Sequence, residues 1–223
     1  MEKMKLAEAR TYRTRIQNRR WLSEHAFELI LARPDGFAFM PGQRIHLNFG
    51  DIGRDYSIVS SPGEESLRLC IRHVPQGQFT PKLRDIPVGE SLQFLGPNGY
   101  FLFRGSEKRP IFVATGTGVA PFVSMCLAGH RGFTLLHGVR SPDERYYADV
   151  LKRTADTYMS CITGPVQSRS SGYAGRVTEY IAHELPAGNY DFYLCGRAEM
   201  IRDVTHIVDQ RFPDSRVFIE LFF

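Results

Sequence analysis

The chain is poor in cysteine: four in 223 residues, at positions 70, 126, 161 and 195, with no C-x-x-C pair among them. Thiolate zinc sites and iron–sulfur clusters need such close pairs, so the four read as reduced thiols and no metal is expected. The seven histidines show no metal spacing either, and His73 and His137 read as ordinary strand residues. No apolar run approaches the ~18 residues of a membrane span. The start, MEKMKLAEARTYR, lacks the apolar core of a secretory signal. A cytoplasmic protein with no integral membrane segment is the expectation. Neither sign of charge dominates: 28 Lys and Arg against 24 Asp and Glu leave +4. Basic residues alternate with acidic ones, so no nucleic-acid partner is indicated, whereas a weakly basic surface suits an acidic protein partner.

What is present divides into two textures. The first half alternates apolar and polar residues with period two in HAFELILA, QRIHLNFG, RDYSIVS, LRLCIRHV and ESLQFLG, separated by Gly/Pro pairs. That pattern marks half-buried strands of an antiparallel barrel or sandwich. From about Arg109 short apolar runs (PIFVAT, GFTLLHG, YMSCIT, YDFYLCG, RVFIEL) alternate with helix-period segments such as MIRDVTHIVDQ, which sets Met200, Val204, Ile207 and Val208 on one stripe. Strands alternating with helices predict a doubly wound parallel sheet. The fold class is therefore β followed by α/β, with domains at residues 1–104 and 109–223 joined by the polar RGSEKR link.

Two stretches carry chemistry. In RDYS an extended strand puts Arg54 and Tyr56 on one side and Ser57 on the other, so a guanidinium fork and a phenol ring face the same way. An arginine suits a phosphate and a tyrosine face suits a planar ring. Downstream, GQFTPKL offers Gly77 for a close approach, Thr80 as N-cap and Pro81 at the first helical position, and a helix start binds anions. In the second half FVATGTGVAP reads as a buried strand, a glycine turn and a helix carrying Pro121 early, where backbone can approach a pyrophosphate. LCGRAEM repeats the arrangement, with Cys195 and Gly196 at the carboxyl edge of the sheet; a buried cysteine there serves either packing or chemistry.

Taken in order, PGQ (41–43), R-x-Y-S (54–57), GQFT (77–80), GPNGYF (96–101), GTGVAP, HGVR, CGRAEM and the terminal ELFF resemble the ferredoxin–NADP reductase-like flavoproteins over nearly the whole length. The resemblance implies an N-terminal flavin-binding β-barrel followed by an NAD(P)-binding domain. It implies that Arg54 holds the flavin phosphate, Tyr56 packs on the isoalloxazine, Ser57 hydrogen-bonds near N5, and Gly77, Gln78, Phe79 and Thr80 cap the pyrophosphate, with Ile71 and Arg72 alongside. By the same pattern Thr115, Gly116, Thr117 and Gly118 meet the dinucleotide phosphates, and Cys195 and Gly196 lie beside the nicotinamide. Glu220 matches an acid near the family's C-terminus. Phe222 covers the flavin with Phe223 as a neighbour or core filler, or both serve only the core. FAD is favoured over FMN because an anionic pyrophosphate explains both positive elements.

The expected reaction is hydride transfer between nicotinamide C4 and flavin N5, with Ser57, Cys195 and Glu220 nearest the chemistry, and electron release to a separate ferredoxin, flavodoxin or oxygenase component. A flavin reductase and an electron-transfer subunit of a larger complex are the alternatives. Arg140 and Ser141 fall where the adenosine ribose belongs, and an arginine there favours NADPH. NADH stays open, because Gly164 follows Thr163 where several NADPH users carry Ser-Arg; Arg169 either compensates or is solvated.

Overall fold

A computed structural model describes residues 10–165 and 172–221. The chain divides into two compact units, Met1–Leu102 and Phe103–Phe223.

The first unit is built from β1 (Arg10–Ser23), β2 (Ala26–Ala32), β3 (Arg44–Phe49), β4 (Ile52–Ser57), β5 (Ser66–Arg72), the short α1 (Thr80–Asp85) and β6 (Ser91–Asn98). The six strands form one antiparallel sheet in the order β4-β3-β6-β1-β2-β5. Its two edges meet through the Ile58–Leu69 bridge and a 2.8 Å bond from the Val59 N–H to the Arg68 carbonyl, so the sheet curls into a barrel. Period-two alternation sends Phe27, Leu29, Leu31, Ile45, Leu47, Leu67, Leu69, Ile71 and Phe94 into one core. Each such side chain stabilises the fold by about 1.5–3 kcal/mol when fully buried.

β1 is the longest strand at 14 residues, and the alternation pattern does not reveal it. It carries Arg10, Arg13, Arg15, Arg19 and Arg20, and its register slips at Ile16/Asn18 and again at Trp21/Ser23. A bulge changes which residues face inward, so no single alternation runs its length.

The second unit follows as β7 (Arg109–Thr115), α2 (Ala120–Leu127), β8 (Thr134–Val139), α3 (Ala148–Thr154), β9 (Thr157–Ile162), β10 (Tyr173–Ala174), α4 (Val177–His183), β11 (Tyr190–Gly196), α5 (Ala198–Arg211) and β12 (Arg216–Leu221). Its strands are all parallel, in the order β10-β9-β8-β7-β11-β12. From β7 the chain winds outward through β8 and β9, then returns to β11 on the other side. The direction of winding reverses between β7 and β11, where open α/β sheets leave a crevice at the carboxyl ends of their strands. The sheet is covered on both faces. Ile111 and Val113 cluster with Val177, Ile181, Val204 and Val208 of α4 and α5, whereas Phe112 between them stacks on Phe122 of α2 at 4.7 Å. The predicted stripe of α5 is present: Met200, Val204 and Val208 are buried, with Ile207 at its margin.

Phe103 and Arg104, read from sequence with the first domain, pack with the second. The Arg104 N–H donates to the Tyr193 hydroxyl at 2.9 Å, and the Phe103 ring centre lies 5.8 Å from that of Phe112. The link that follows is anchored by Asp191. Its buried carboxylate accepts two bonds from Arg216 (2.7 and 2.6 Å) and one from the Ser106 hydroxyl (2.6 Å). Burial alone would raise this carboxyl, but the bonds from Arg216 and Ser106 outweigh it and hold Asp191 below the usual carboxylate range. Stability from a depressed carboxylate is present above its unfolded value of about 3.9 and is lost as pH falls through the lower folded value. Asp191→Asn should cost about 1.5–3 kcal/mol in urea unfolding at neutral pH, the range for hydrogen bonds to a charged group. The gap to wild type should narrow in acid; a gap of equal size at neutral pH and well below the folded value would contradict this role.

Candidate functional site

In the first unit, β3–β4 pairing sets Tyr56 opposite Ile45 and Arg54 opposite Leu47, and both partners are buried. Arg54 and Tyr56 thus share the core side of β4, while Ser57 belongs to the other side. Asp55 is not the partner of Arg54: it faces the opposite way, accepts from His46 at 2.6 Å and pairs with Arg44 at 3.2 Å. The exposed Arg54 guanidinium donates to the Gly53 carbonyl at 2.7 Å and has no carboxylate among the described residues. The Tyr56 ring is half buried, 6.1 Å from Phe79, and burial pushes its phenol well above the ordinary value. The Ser57 hydroxyl is buried and makes no hydrogen bond among the described residues. An unsatisfied buried hydroxyl costs about 1–3 kcal/mol, so this oxygen suits a bound polar atom.

The turn after β5 is brought to the same place by the Tyr56–Phe79 contact. Ile71 is buried and Arg72 exposed at the strand end. The Gly77 N–H donates to the Val74 carbonyl at 2.9 Å, and a Cβ on Gly77 would come within 3.1 Å of that oxygen. Gln78 is exposed. Thr80 is not the N-cap expected from sequence. The helix starts at Thr80 after Phe79, Pro81 takes its second position, and the Thr80 hydroxyl instead accepts from the Val74 N–H at 2.9 Å and donates to the Val74 carbonyl at 3.3 Å. Threonine therefore pins the turn shut. At the far end of α1 the Arg19 guanidinium donates to the Leu83 and Ile86 carbonyls at 2.9 and 2.7 Å.

In the second unit, the point where the winding reverses holds the glycine turn. β7 ends at Thr115, a 3-10 turn covers Gly116–Val119, and α2 follows. Gly116 has a φ of 52°, which disfavours any residue with a Cβ, and open space lies beside it. Gly118 packs directly on the end of β11: a Cβ there would lie 2.5 Å from the Cys195 carbonyl oxygen and 2.8 Å from the Gly196 Cα. The Thr115 hydroxyl accepts from the Arg197 N–H at 3.0 Å, fastening the two strand ends together. Cys195 stands in register with Ala114 on one side and Glu220 on the other, and both Cys195 and Glu220 are buried. The structure thus gathers Thr115, Gly116, Thr117, Gly118, Cys195, Gly196 and Glu220 at one sheet edge. Arg140 follows β8 and is exposed, and Ser141 opens a short 3-10 turn. Arg169, Phe222 and Phe223 lie outside the described residues.

Two neighbours add to the sequence reading: Glu144, which it did not single out, and His137, which it took as an ordinary strand residue. Glu144 accepts from the Arg140 N–H at 3.0 Å, placing a carboxylate where only cation had been counted. His137, fully buried, bonds the Gly116 carbonyl. Its apolar strand was a signal, since a histidine buried there must still find partners for both ring nitrogens.

Comparison with known proteins agrees with both halves. The oxidoreductase FAD-binding domain matches residues 16–103 and the oxidoreductase NAD-binding domain matches residues 112–206. A ferredoxin–NADP reductase B of Sorangium cellulosum (strain So ce56) is 30% identical over 96% of this chain and 99% of its own. The chain belongs to the ferredoxin–NADP reductase-like family. The electron transfer component of toluate 1,2-dioxygenase from Pseudomonas putida is 31% identical over 88% of this chain, which spans 63% of that protein's length. Several dioxygenase components that it matches are covered over only about half to three-fifths of their length. A solved ferredoxin NADP+ reductase from Neisseria gonorrhoeae, with bound FAD and NADP, shares the fold at a TM-score of 0.81 and 20% identity, covering 96% of this chain and 99% of that one. The chain thus carries an FAD-binding and a nicotinamide-dinucleotide-binding domain of this family.

The two glycines of the turn make a measurable contrast. Gly118→Ala must displace backbone and should lower stability by about 1–3 kcal/mol. Gly116→Ala meets no atom and should cost only about 1 kcal/mol, for its left-handed conformation. Urea unfolding of both variants checks the order; the reverse order would contradict the packing described.

Proposed function

We propose that the protein is an FAD-dependent oxidoreductase that moves electrons between NAD(P)H and an external one-electron acceptor. The observation that carries this reading is the Ser57 hydroxyl, which is buried and, among the described residues, has no partner, beside a half-buried tyrosine and an arginine that meets no carboxylate among those residues. Bound FAD supplies the exchange between a two-electron hydride and single electrons. The chain's own residues bind and orient. Arg54 would neutralise a flavin phosphate, Tyr56 would pack on the isoalloxazine, and Ser57 would hydrogen-bond near its N5. Gly77, Gln78, Phe79 and Thr80, with Ile71 and Arg72, would form the wall against the pyrophosphate. In the second unit the Thr115–Gly118 turn would hold the coenzyme phosphates, and Cys195, Gly196 and Glu220 would border the nicotinamide. Phe222 and Phe223 keep their two alternatives, flavin cover or core. Positioning dominates such catalysis, so no acid–base triad is required.

Arg140 favours NADPH, because its guanidinium has no described partner and can pair with a 2′-phosphate. A second reading, NADH, is supported by Glu144, since a carboxylate at this place suits a free ribose diol and repels a phosphate. The acceptor is proposed to be a ferredoxin or flavodoxin; the dioxygenase components among the relatives support an oxygenase component as the alternative. A cytoplasmic setting is part of the proposal, because the four cysteines are buried and none is joined to another in a disulfide. Among the described residues no helix is long and apolar enough to cross a membrane.

Two measurements test the reading. Purified protein should retain FAD, and Tyr56→Ala should weaken retention by about 1–3 kcal/mol, by analogy with stacking of a nucleic-acid base. A protein that takes up no FAD in titration would overturn the proposal. Arg140→Ala should weaken NADPH binding by about 1.5–3 kcal/mol and leave NADH nearly unchanged. Equal loss for both would remove Arg140 as the reader of the 2′-phosphate.

A further inference from the structure

His137 is fully buried in β8 and lies in register with Ala114 of β7, one layer beneath the glycine turn. Its Nε2 is 2.9 Å from the Gly116 carbonyl oxygen and its Nδ1 is 3.3 Å from the Tyr158 hydroxyl. A carbonyl can only accept, so Nε2 carries the proton. Nδ1 then accepts, and the Tyr158 hydroxyl donates to it. The direction of every bond in the chain follows from that one carbonyl. Burial keeps both side groups in the states this needs: the imidazole falls to about 4 and the Tyr158 phenol rises to about 12.

The consequence lies on the other side of the turn. The Gly116–Thr117 peptide is trans; among the described residues the cis peptide is Gly96–Pro97. In a trans peptide the C=O and the following N–H point in opposite directions. A carbonyl held inward by His137 therefore turns the Thr117 N–H outward. Gly116 and Thr117 are both partly exposed, and the space beside Gly116 is open. The first N–H groups of a helical turn have no partner within the turn, so they stand ready for an anion. If the peptide flipped, a carbonyl oxygen would face that anion instead, and glycine at 116 puts little steric resistance in the way.

We propose that His137 is a positioning residue for the nicotinamide coenzyme: fixed by Tyr158 as the Nε2–H tautomer, it holds the Gly116 carbonyl and so aims the Thr117 N–H at a coenzyme phosphate. This rests on the reading that the Thr115–Gly118 turn holds those phosphates. The role is separate from contact with the reacting atoms, and it sets affinity rather than the rate of the chemical step.

The substitutions that separate this from plain packing are His137→Gln, His137→Asn and His137→Phe in the FAD-loaded protein. A glutamine amide nitrogen reaches about as far as Nε2, whereas an asparagine amide stops near Nδ1. Asn and Phe should weaken NADP+ binding by roughly tenfold or more, the effect of leaving a buried acceptor unsatisfied or letting it turn, and Gln should stay within about threefold of wild type. Bound FAD and the rate at saturating coenzyme should be unchanged throughout. Gln and Asn losing affinity equally, or all three losing only melting temperature, would overturn the proposal. If Asn and Phe do not fold, the wild-type protein still decides. Its imidazole nitrogen–proton spectrum should show His137 as the Nε2–H tautomer, and NADP+ should shift that ring together with the Thr117 amide. An Nδ1–H tautomer, or a shift at neither group when NADP+ binds, would overturn it. Failure of wild type to bind either NADP+ or NAD+ would instead bring down the coenzyme reading on which the proposal stands.

Discussion

One close contact governs the second unit: the backbone of Gly118 against the carbonyl of Cys195 and the Cα of Gly196. There is no room for a side chain between them, so the turn after β7 and the end of β11 are held as a single surface. The Thr115 hydroxyl on the Arg197 N–H fastens the same two strand ends from the other direction. Because β12 follows β11 in register, Glu220 is carried to the same edge beside Cys195. A nicotinamide dinucleotide needs a backbone that approaches its phosphates and a fixed shelf for its ring, and under the proposed reading this contact would supply both from main chain.

The first unit solves a different problem with side chains. Barrel closure at Ile58 and Leu69 brings β4 next to β5, and the turn after β5 then folds back so that Phe79 meets Tyr56. The Thr80 hydroxyl keeps that turn closed by bonding Val74 twice. What remains at the lip is an arginine that meets no carboxylate among the described residues, a tyrosine face and a buried hydroxyl with no partner among them. Such a set is unfavourable left to itself and favourable around a phosphate-bearing flat ring.

Much of this was legible in the residues. The parallel strands announced themselves as short apolar runs, and all five of those quoted from the second half became strands. The R-x-Y-S alternation correctly put Arg54 and Tyr56 on one side. β1 was missed because its arginines and two bulges erase the period-two signal, although it lies at the centre of the sheet between β6 and β2. Thr80 was misread because a threonine before a proline looks like a cap, whereas its hydroxyl bonds back across the turn to Val74, a geometry that residue types alone do not report. Glu144 was not singled out, and His137 was read only as a strand residue without its partner. Their partners, the Gly116 carbonyl and the Arg140 N–H, are backbone groups whose orientation no residue pattern reports.

The central claim is that these residues arrange a hydride transfer between nicotinamide and flavin. The direct test is anaerobic stopped flow on the FAD-loaded protein, mixing it with NADPH or NADH and with each coenzyme deuterated at one or the other face of C4. The account predicts that the flavin's visible band bleaches without any added acceptor, and that deuterium on one face slows the bleaching while deuterium on the opposite face does not. A flavin that stays oxidised with both coenzymes, or bleaching at a rate indifferent to deuterium on either face even when coenzyme binding is saturated, would contradict it.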